Sequence, residues 1–522
     1  MTAEPTSSER APQESSTSVT RTKDVETVLH QNDESPDDEG GGGGGGLRKN
    51  LGAKDLIGFG VGIVIGTGIF TLTGTSAKNF AGPAVVISFL VAGLVSLFAA
   101  LCYAELAAAV PTAGSSYTYA YTTIGEIFAW IIAWDLILEF ALGAAVVSRG
   151  WSGYLQDSFG LSETWFGEES TVNIGAVAIA LVLGIVAAVG IRESKWVTNA
   201  LVVIKVSVCI FVIGVGAFFI KAANYAPFVP KSQPLDEKLA TTGLKQPLWQ
   251  FITGTDATAY GVTGILVAAG IVFFAYSGFE AVANLGEETK DPGKDMPRGL
   301  IGTLVICTVL YVGVCLVLTG MVKYTGLSEG APISDAFKQV GLGWAGILIG
   351  IAAVAGLSSV ILVDIIAMGR IFYALCRDGL LPASIGKISE RFGTPLRITI
   401  ATTAVVCLLG AFIPLTALAE MVSIGTLFAF LVVSIAVAVL RRTKPKMKRP
   451  FRTPLVPWLP IISGVSCLAL MASLAVETWL RFLVWLALGL AIYWFYGRKH
   501  SNLAPGNIVA TGYGRRVNGD AS

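Results

Sequence analysis

The chain has 522 residues, of which 53% are hydrophobic and 14% charged, and its formal net charge is +1. A soluble domain carries charge on about a quarter of its positions. Here the apolar residues gather in blocks of about twenty, the length a helix needs to cross hydrocarbon. A soluble globular protein is excluded, and an all-α, multi-pass membrane protein is expected.

Residues 1–47 are rich in Ser, Thr, Asp and Glu and end in the glycine run Gly40–Gly46. Such a segment cannot bury apolar surface, and it lacks the apolar core of a signal peptide, so a disordered, retained tail is expected. About twelve spans follow, near 55–75, 84–108, 124–148, 172–190, 197–220, 262–286, 299–321, 344–376, 397–413, 417–440, 455–477 and 479–497. The long connection 221–261 separates the first five from the rest. Repeat one is placed at about 55–220, repeat two at about 262–440, extra helices at about 455–497 and a C-terminal tail at 498–522.

Basic residues collect before span 1 (Arg48, Lys49, Lys54), after span 8 (Arg377, Lys387, Arg391, Arg397), after span 10 (Arg441–Arg452) and in the C-terminal tail. By the positive-inside rule both termini are cytoplasmic, in a plasma or inner membrane. The only histidines, His30 and His500, lie in polar tails, so no histidine-ligated metal or histidine relay is expected within the membrane. None of the seven cysteines has CxxC spacing. There is no GxxxxGK[ST] phosphate loop and no convincing catalytic constellation, so neither an enzyme nor a nucleotide-driven pump is expected. No cofactor and no nucleic acid partner is expected. Rings of like charge or a repeated filter, the marks of a channel, do not appear.

Span 1 carries GIVIGTGIFTLTG at Gly62–Gly74. Gly62 and Gly66 form a small-xxx-small pair that also suits close helix packing. Gly66-Thr67-Gly68 suits an unwound backbone better, and span 6 has its own interruption in FFAYSGFEAVANLGEE, with Ser277, Gly278 and Glu280. Interruptions in corresponding spans of a five-plus-five inverted repeat point to a transporter site at mid-membrane. A broken helix frees N–H groups at one new end and C=O groups at the other, and lipid can satisfy neither. The first suits a carboxylate and the second an ammonium. A free amino acid carries both.

The GTGIF of span 1, AGPAVVISFLVAGLVSLFAALCYAELAAAVPTAGSSYTYAY across span 2 and IGEIFAWIIAWDLILEF of span 3 resemble the amino acid–polyamine–organocation superfamily. So do FFAYSGFEA, EETKDPGKDMPRG and RIFYALCRDGLLP further on. The resemblance runs from about 50 to 497 and is nearest the cationic amino acid transporter branch and its bacterial relatives. It implies a secondary active amino acid transporter that works by alternating access. The substrate carboxylate would meet the backbone at Ile65, Thr67 and Gly68. Carbonyls of Val64, Phe274, Ala275 and Ser277 would meet its amino group, and the Phe274 ring would close over it.

Charges within spans are costly and ask for a reason. By resemblance, Lys205 of span 5 stands where sodium-coupled cousins hold a cation, which favours sodium independence with proton coupling or exchange. Snorkelling of Lys205 to the headgroups is the alternative. Glu139 matches the span-3 carboxylate near the substrate side chain, and Asp135, one turn away, is read as structural or as lying nearer an interface. Glu280 follows the span-6 break, and helix-end capping is an equal reading. By the same resemblance, Asp364 stands at a family position that lines the side-chain pocket, with an interhelical ion pair as its alternative. Glu139 and Asp364 together would favour arginine, lysine or ornithine. The alternatives are a permease for small neutral amino acids or polyamines, and a nutrient sensor on a transporter fold. Spans 11 and 12 are assigned to packing or dimerisation, and a small accessory membrane subunit is compatible with them.

Overall fold

The computed structural model describes Arg21 and residues 50–504, apart from 110–114, 169, 191–194, 236–242, 287, 390 and 444. The expected 1–47 tail, Arg21 excepted, and residues 505–522 lie outside the described residues. Each expected span is found as a helical segment. Among the described residues, eight helices are long and apolar enough to cross a membrane, and Ile174–Val189, Leu396–Phe412 and Trp458–Ala472 are shorter apolar ones. Among the described residues, strand is confined to two antiparallel residue pairs, Gln233–Pro234 with Thr258–Ala259, in the long connection between spans 5 and 6. The chain is all-α.

Local chemistry explains several helix ends. Span 4 (Ile174–Val189) begins at Asn173, whose side chain accepts the Ala176 N–H at 2.9 Å. Span 7 (Pro292–Met321) starts with proline at its first position, where the missing N–H costs nothing, and with Asp295 in its first turn. Span 3 (Glu126–Phe159) runs past its expected end and packs along span 8 (Gly343–Arg377), which lies where it was expected. Span 7 packs against span 2 (Val85–Ala109) and the first half of span 1.

Two polar clusters tie the ends of the bundle together. Glu105 of span 2 is fully buried and takes Arg441 Nε and Nη2 at 2.8 Å each. It also accepts the Thr453 N–H at 2.8 Å and pairs with Arg449 Nε at 3.2 Å. At the start of span 3, Glu126 accepts from Tyr493, Ser501 and Tyr121 at 2.8, 2.6 and 3.1 Å, pinning the segment after span 12 to the short helix Ser115–Thr123. That short helix and Pro332–Gln339 were not anticipated from the sequence.

A candidate substrate site at two facing helix breaks

Span 1 is broken where its glycines cluster. A helix runs over Ala53–Val64, Ile65 is extended at φ −74° and ψ 98°, and helical structure resumes with a π-turn at Gly68–Leu72. Span 6 breaks in the corresponding place. The helix Gly261–Val272 tightens into a 3₁₀ turn at Phe273–Tyr276, Ser277 is extended, and Gly278 has φ +96° before a second 3₁₀ segment at Phe279–Leu285. Only glycine adopts that φ without strain. A side chain there would also meet Ile63 Cγ2 at 2.7 Å.

The two breaks face each other. A methyl group at position 68 would stand 2.3 Å from Ala275 Cα and 2.4 Å from its Cβ. Between them is a cavity of about 40 Å³. Its wall includes Val64, Thr67 and Gly68 from span 1, Phe274 and Ser277 from span 6, Glu139 from span 3 and Asp364 from span 8. Seven of the expected residues, from four spans, therefore meet at one place. Ile63, Val147, Val360 and Val422 add an apolar lining that was not anticipated. Ile65, Ala275, Glu280 and Lys205 lie outside this wall.

The cavity carries polar groups with nothing to bond to. Thr67 Oγ1 and Glu139 Oε2 are buried with no hydrogen-bond partner among the described residues. An unsatisfied buried polar atom costs about 1–3 kcal/mol, so a polar ligand is the natural complement. At about 40 Å³ the space suits little more than water.

Several carbonyls expected to meet an ammonium already hold protein donors. Tyr311 of span 7 reaches Val64 O at 2.8 Å and Ala275 O at 3.0 Å, bridging the two breaks with one hydroxyl. Phe274 O accepts Ser277 N–H at 3.1 Å and Ser277 Oγ at 2.9 Å. Val64 O and Ala275 O each keep a second lone pair, whereas Phe274 O, with two donors, has none to spare. Tyr311 was missed from the sequence, since one tyrosine within an apolar span carries no local signal.

The charged residues divide. Both Glu280 oxygens accept the Gly278 N–H, at 3.0 and 3.1 Å, so this carboxylate caps the second half of span 6. It also interacts with Glu139. Lys205 is buried, its stem lies against Gly356 of span 8, and its Nζ donates to Gly62 O at 2.8 Å. The ammonium thus sits at the C-terminal end of the first half of span 1, where a helix dipole favours a cation. Asp364 approaches Gly143 of span 3: a methyl there would be 3.1 Å from Oδ2. Arg149 of span 3 was also missed. It donates to Gly410 O and Ala411 O at 2.9 and 3.0 Å, closing the end of span 9. A larger cavity of about 1010 Å³ lies between spans 3, 9, 10 and 12, but none of the expected residues lines it.

The amino acid permease family model matches residues 51–492. The chain belongs to the amino acid permease family. The permease is 41% identical over 467 residues to the methylthioribose transporter of Bacillus subtilis (strain 168), covering 88% of this chain and 95% of that one. It is also 41% identical over 472 residues to the branched-chain amino acid permease BcaP of the same organism, with the same coverage. The vacuolar cationic amino acid transporter 4 of Arabidopsis thaliana is 36% identical over 437 residues, covering 82% of this permease and 68% of that protein. The permease is a multi-pass membrane transporter, not an enzyme, and amino acids are its substrate class.

Proposed function

We propose that the permease carries cationic amino acids by alternating access, with the substrate held between the breaks of spans 1 and 6. The observation behind this reading is the single cavity that gathers backbone from both breaks with the Glu139 and Asp364 side chains. In it the substrate carboxylate meets the N–H groups at Ile65, Thr67 and Gly68. The ammonium meets the free lone pairs of Val64, Ala275 and Ser277 and takes the place of the Ser277 hydroxyl on the Phe274 carbonyl, and Glu280 holds the span-6 end. A cationic side chain then lies against Glu139 and Asp364.

Transport is sodium-independent and uses protons or exchange in this reading, because the Lys205 ammonium supplies at Gly62 the charge that a bound cation would bring. Spans 1 and 6, with their neighbours, rock against the remaining helices around the substrate, the inverted repeats being about 55–220 and 262–440. Both termini are cytoplasmic in the plasma or inner membrane, from the basic loops after spans 8 and 10.

A second reading is a branched-chain substrate. It is favoured by the apolar lining of Ile63, Val147, Val360 and Val422, and by the name of the Bacillus permease at 41% identity.

Uptake of labelled arginine and leucine into proteoliposomes, with and without inward proton or sodium gradients, tests both. Arginine uptake that responds to protons and falls at least about tenfold in Asp364→Ser supports the first reading, tenfold being about 1.4 kcal/mol. Leucine uptake without arginine uptake overturns it in favour of the second. Uptake driven only by sodium overturns the coupling.

A further inference from the structure

Asp135 stands one turn before Glu139 on span 3, fully buried, with neither carboxylate oxygen bonded to any described residue. Its neighbour across the interface is Gly425 of span 10, where even a methyl group would come within 2.8 Å of Oδ1. The backbone of span 10 thus makes room for this carboxyl without giving it a donor. A buried carboxylate with no cation and no hydrogen bond costs several kcal/mol. An asparagine of the same shape would avoid that cost. What the acid has, and the amide lacks, is a place for a proton.

The groups that face this stretch come from several elements. Span 3 itself offers Glu139, which interacts with Asp135, and whose Oε2 is likewise unpartnered among the described residues. Span 6 offers Glu280, in contact with Glu139. Span 10 offers Gly425 and Thr426, the latter in reach of Glu139. Tyr103 of span 2 interacts with Glu139 and Glu280. From span 12, Trp485 stacks on the neighbouring Trp134. Asp364 of span 8 faces Gly143, two turns beyond, and Lys205 lies on the Asp364 side, bonded to Gly62. Among the described residues no three His, Cys, Asp or Glu side chains converge to hold a metal ion.

We propose that Asp135 is a proton-binding site of the transport cycle, exchanging its proton with Glu139 one helical turn away. Residues four apart on a helix have Cβ atoms about 5–6 Å apart, a gap that side-chain rotation closes. One O–H bond breaks at Asp135 as one forms at Glu139, and the charge moves the opposite way. The Glu139 proton is then next to Glu280 and the substrate cavity. The inference rests on the proton-coupled reading above and extends it to a residue outside the substrate cavity.

The test uses the full chain in proteoliposomes, with labelled arginine and leucine as probes. Two assays are run on wild type, Asp135→Asn and Asp135→Glu: accumulation driven by an inward proton gradient, and counterflow exchange at equal pH. Asparagine keeps the shape and glutamate keeps the acid. The expected result is that Asp135→Asn loses gradient-driven accumulation by about a hundredfold, the scale of a lost proton-transfer group. Its counterflow continues, and Asp135→Glu restores part of the accumulation. Accumulation by Asp135→Asn at the wild-type level overturns the proposal. Equal loss of accumulation and counterflow overturns it too, because that marks a structural role. A wild type that exchanges substrate but ignores the gradient overturns the coupled reading itself, and this assignment with it.

Discussion

Gly68 and Ala275 meet backbone to backbone: a Cβ on Gly68 would lie 2.3 Å from the Ala275 Cα. The contact joins the two helix breaks, and no side-chain rotation can relieve it. Gly68→Ala is therefore expected to force the breaks apart and to abolish amino acid uptake in proteoliposomes. Gly66→Ala makes the contrast, since a methyl at 66 would be 3.8 Å from Val360 Cγ2. Equal uptake by Gly68→Ala and wild type would remove the breaks from the site.

The Tyr311 hydroxyl bridges Val64 O and Ala275 O. Tyr311→Phe leaves the ring in place and removes only that link. Loss of hydrogen bonding worth about 1 kcal/mol corresponds to roughly fivefold, and an uptake rate about fivefold lower is expected at unchanged expression. A wild-type rate would mean that the bridge plays no part in the cycle.

Lys205 answers the Gly62 carbonyl from inside the core. Lys205→Met keeps the apolar stem against Gly356 but takes away the charge. Uptake should fall and its response to a proton gradient should vanish, measured as the ratio of rates with and without the gradient.

Glu105 is buried in a cluster with Arg441, Arg449 and Thr453. Arg441→Met removes two of its donors, and breaking a buried pair of this kind costs about 3–5 kcal/mol. The melting temperature of the purified protein in detergent should drop. Glu105→Leu combined with Arg441→Met should recover part of the loss, because it removes the buried carboxylate left short of donors while Arg449 keeps its bonds to the Met447 and Leu440 carbonyls. A double variant less stable than the single one would contradict this account.

Glu168, in the loop between spans 3 and 4, has its carboxyl pushed from 4.5 up to about 7 by burial, while Arg149 and the Leu415 N–H pull it back. Its Oε1 accepts that N–H at 2.8 Å. The folded state holds the proton more tightly than the unfolded one, so stability falls as pH rises from about 4.5 to about 7 and is flat above. Glu168→Gln should flatten this part of the stability profile, read as melting temperature between pH 5 and pH 8, a range set by those two values.

Much of the architecture was legible because a membrane leaves few choices. About twenty apolar residues are needed to cross it as a helix, so the twelve expected spans found helices with ends shifted by a few residues in most cases. Two ends depart further: span 3 runs on to Phe159 past the expected end near 148, and span 7 begins at Pro292 ahead of the expected 299. The breaks were legible as well, because Gly66-Thr67-Gly68 and Ser277-Gly278 are poor helix formers in places where lipid punishes an open backbone.

What the sequence by itself determined was which segments are helical, where two of them break and which charges enter the bilayer. Tertiary structure alone decided which faces turn inward. In helices that are apolar all round, periodicity carries little information about facing, so Val147, Val360, Val422 and Tyr311 could not be assigned to the site in advance. It also decided how each buried charge is answered: Glu280 by its own Gly278 N–H, Lys205 by a carbonyl 143 residues away, Asp135 by no described partner. Those answers depend on groups brought together by helix packing, and sequence spacing does not encode a distance between spans.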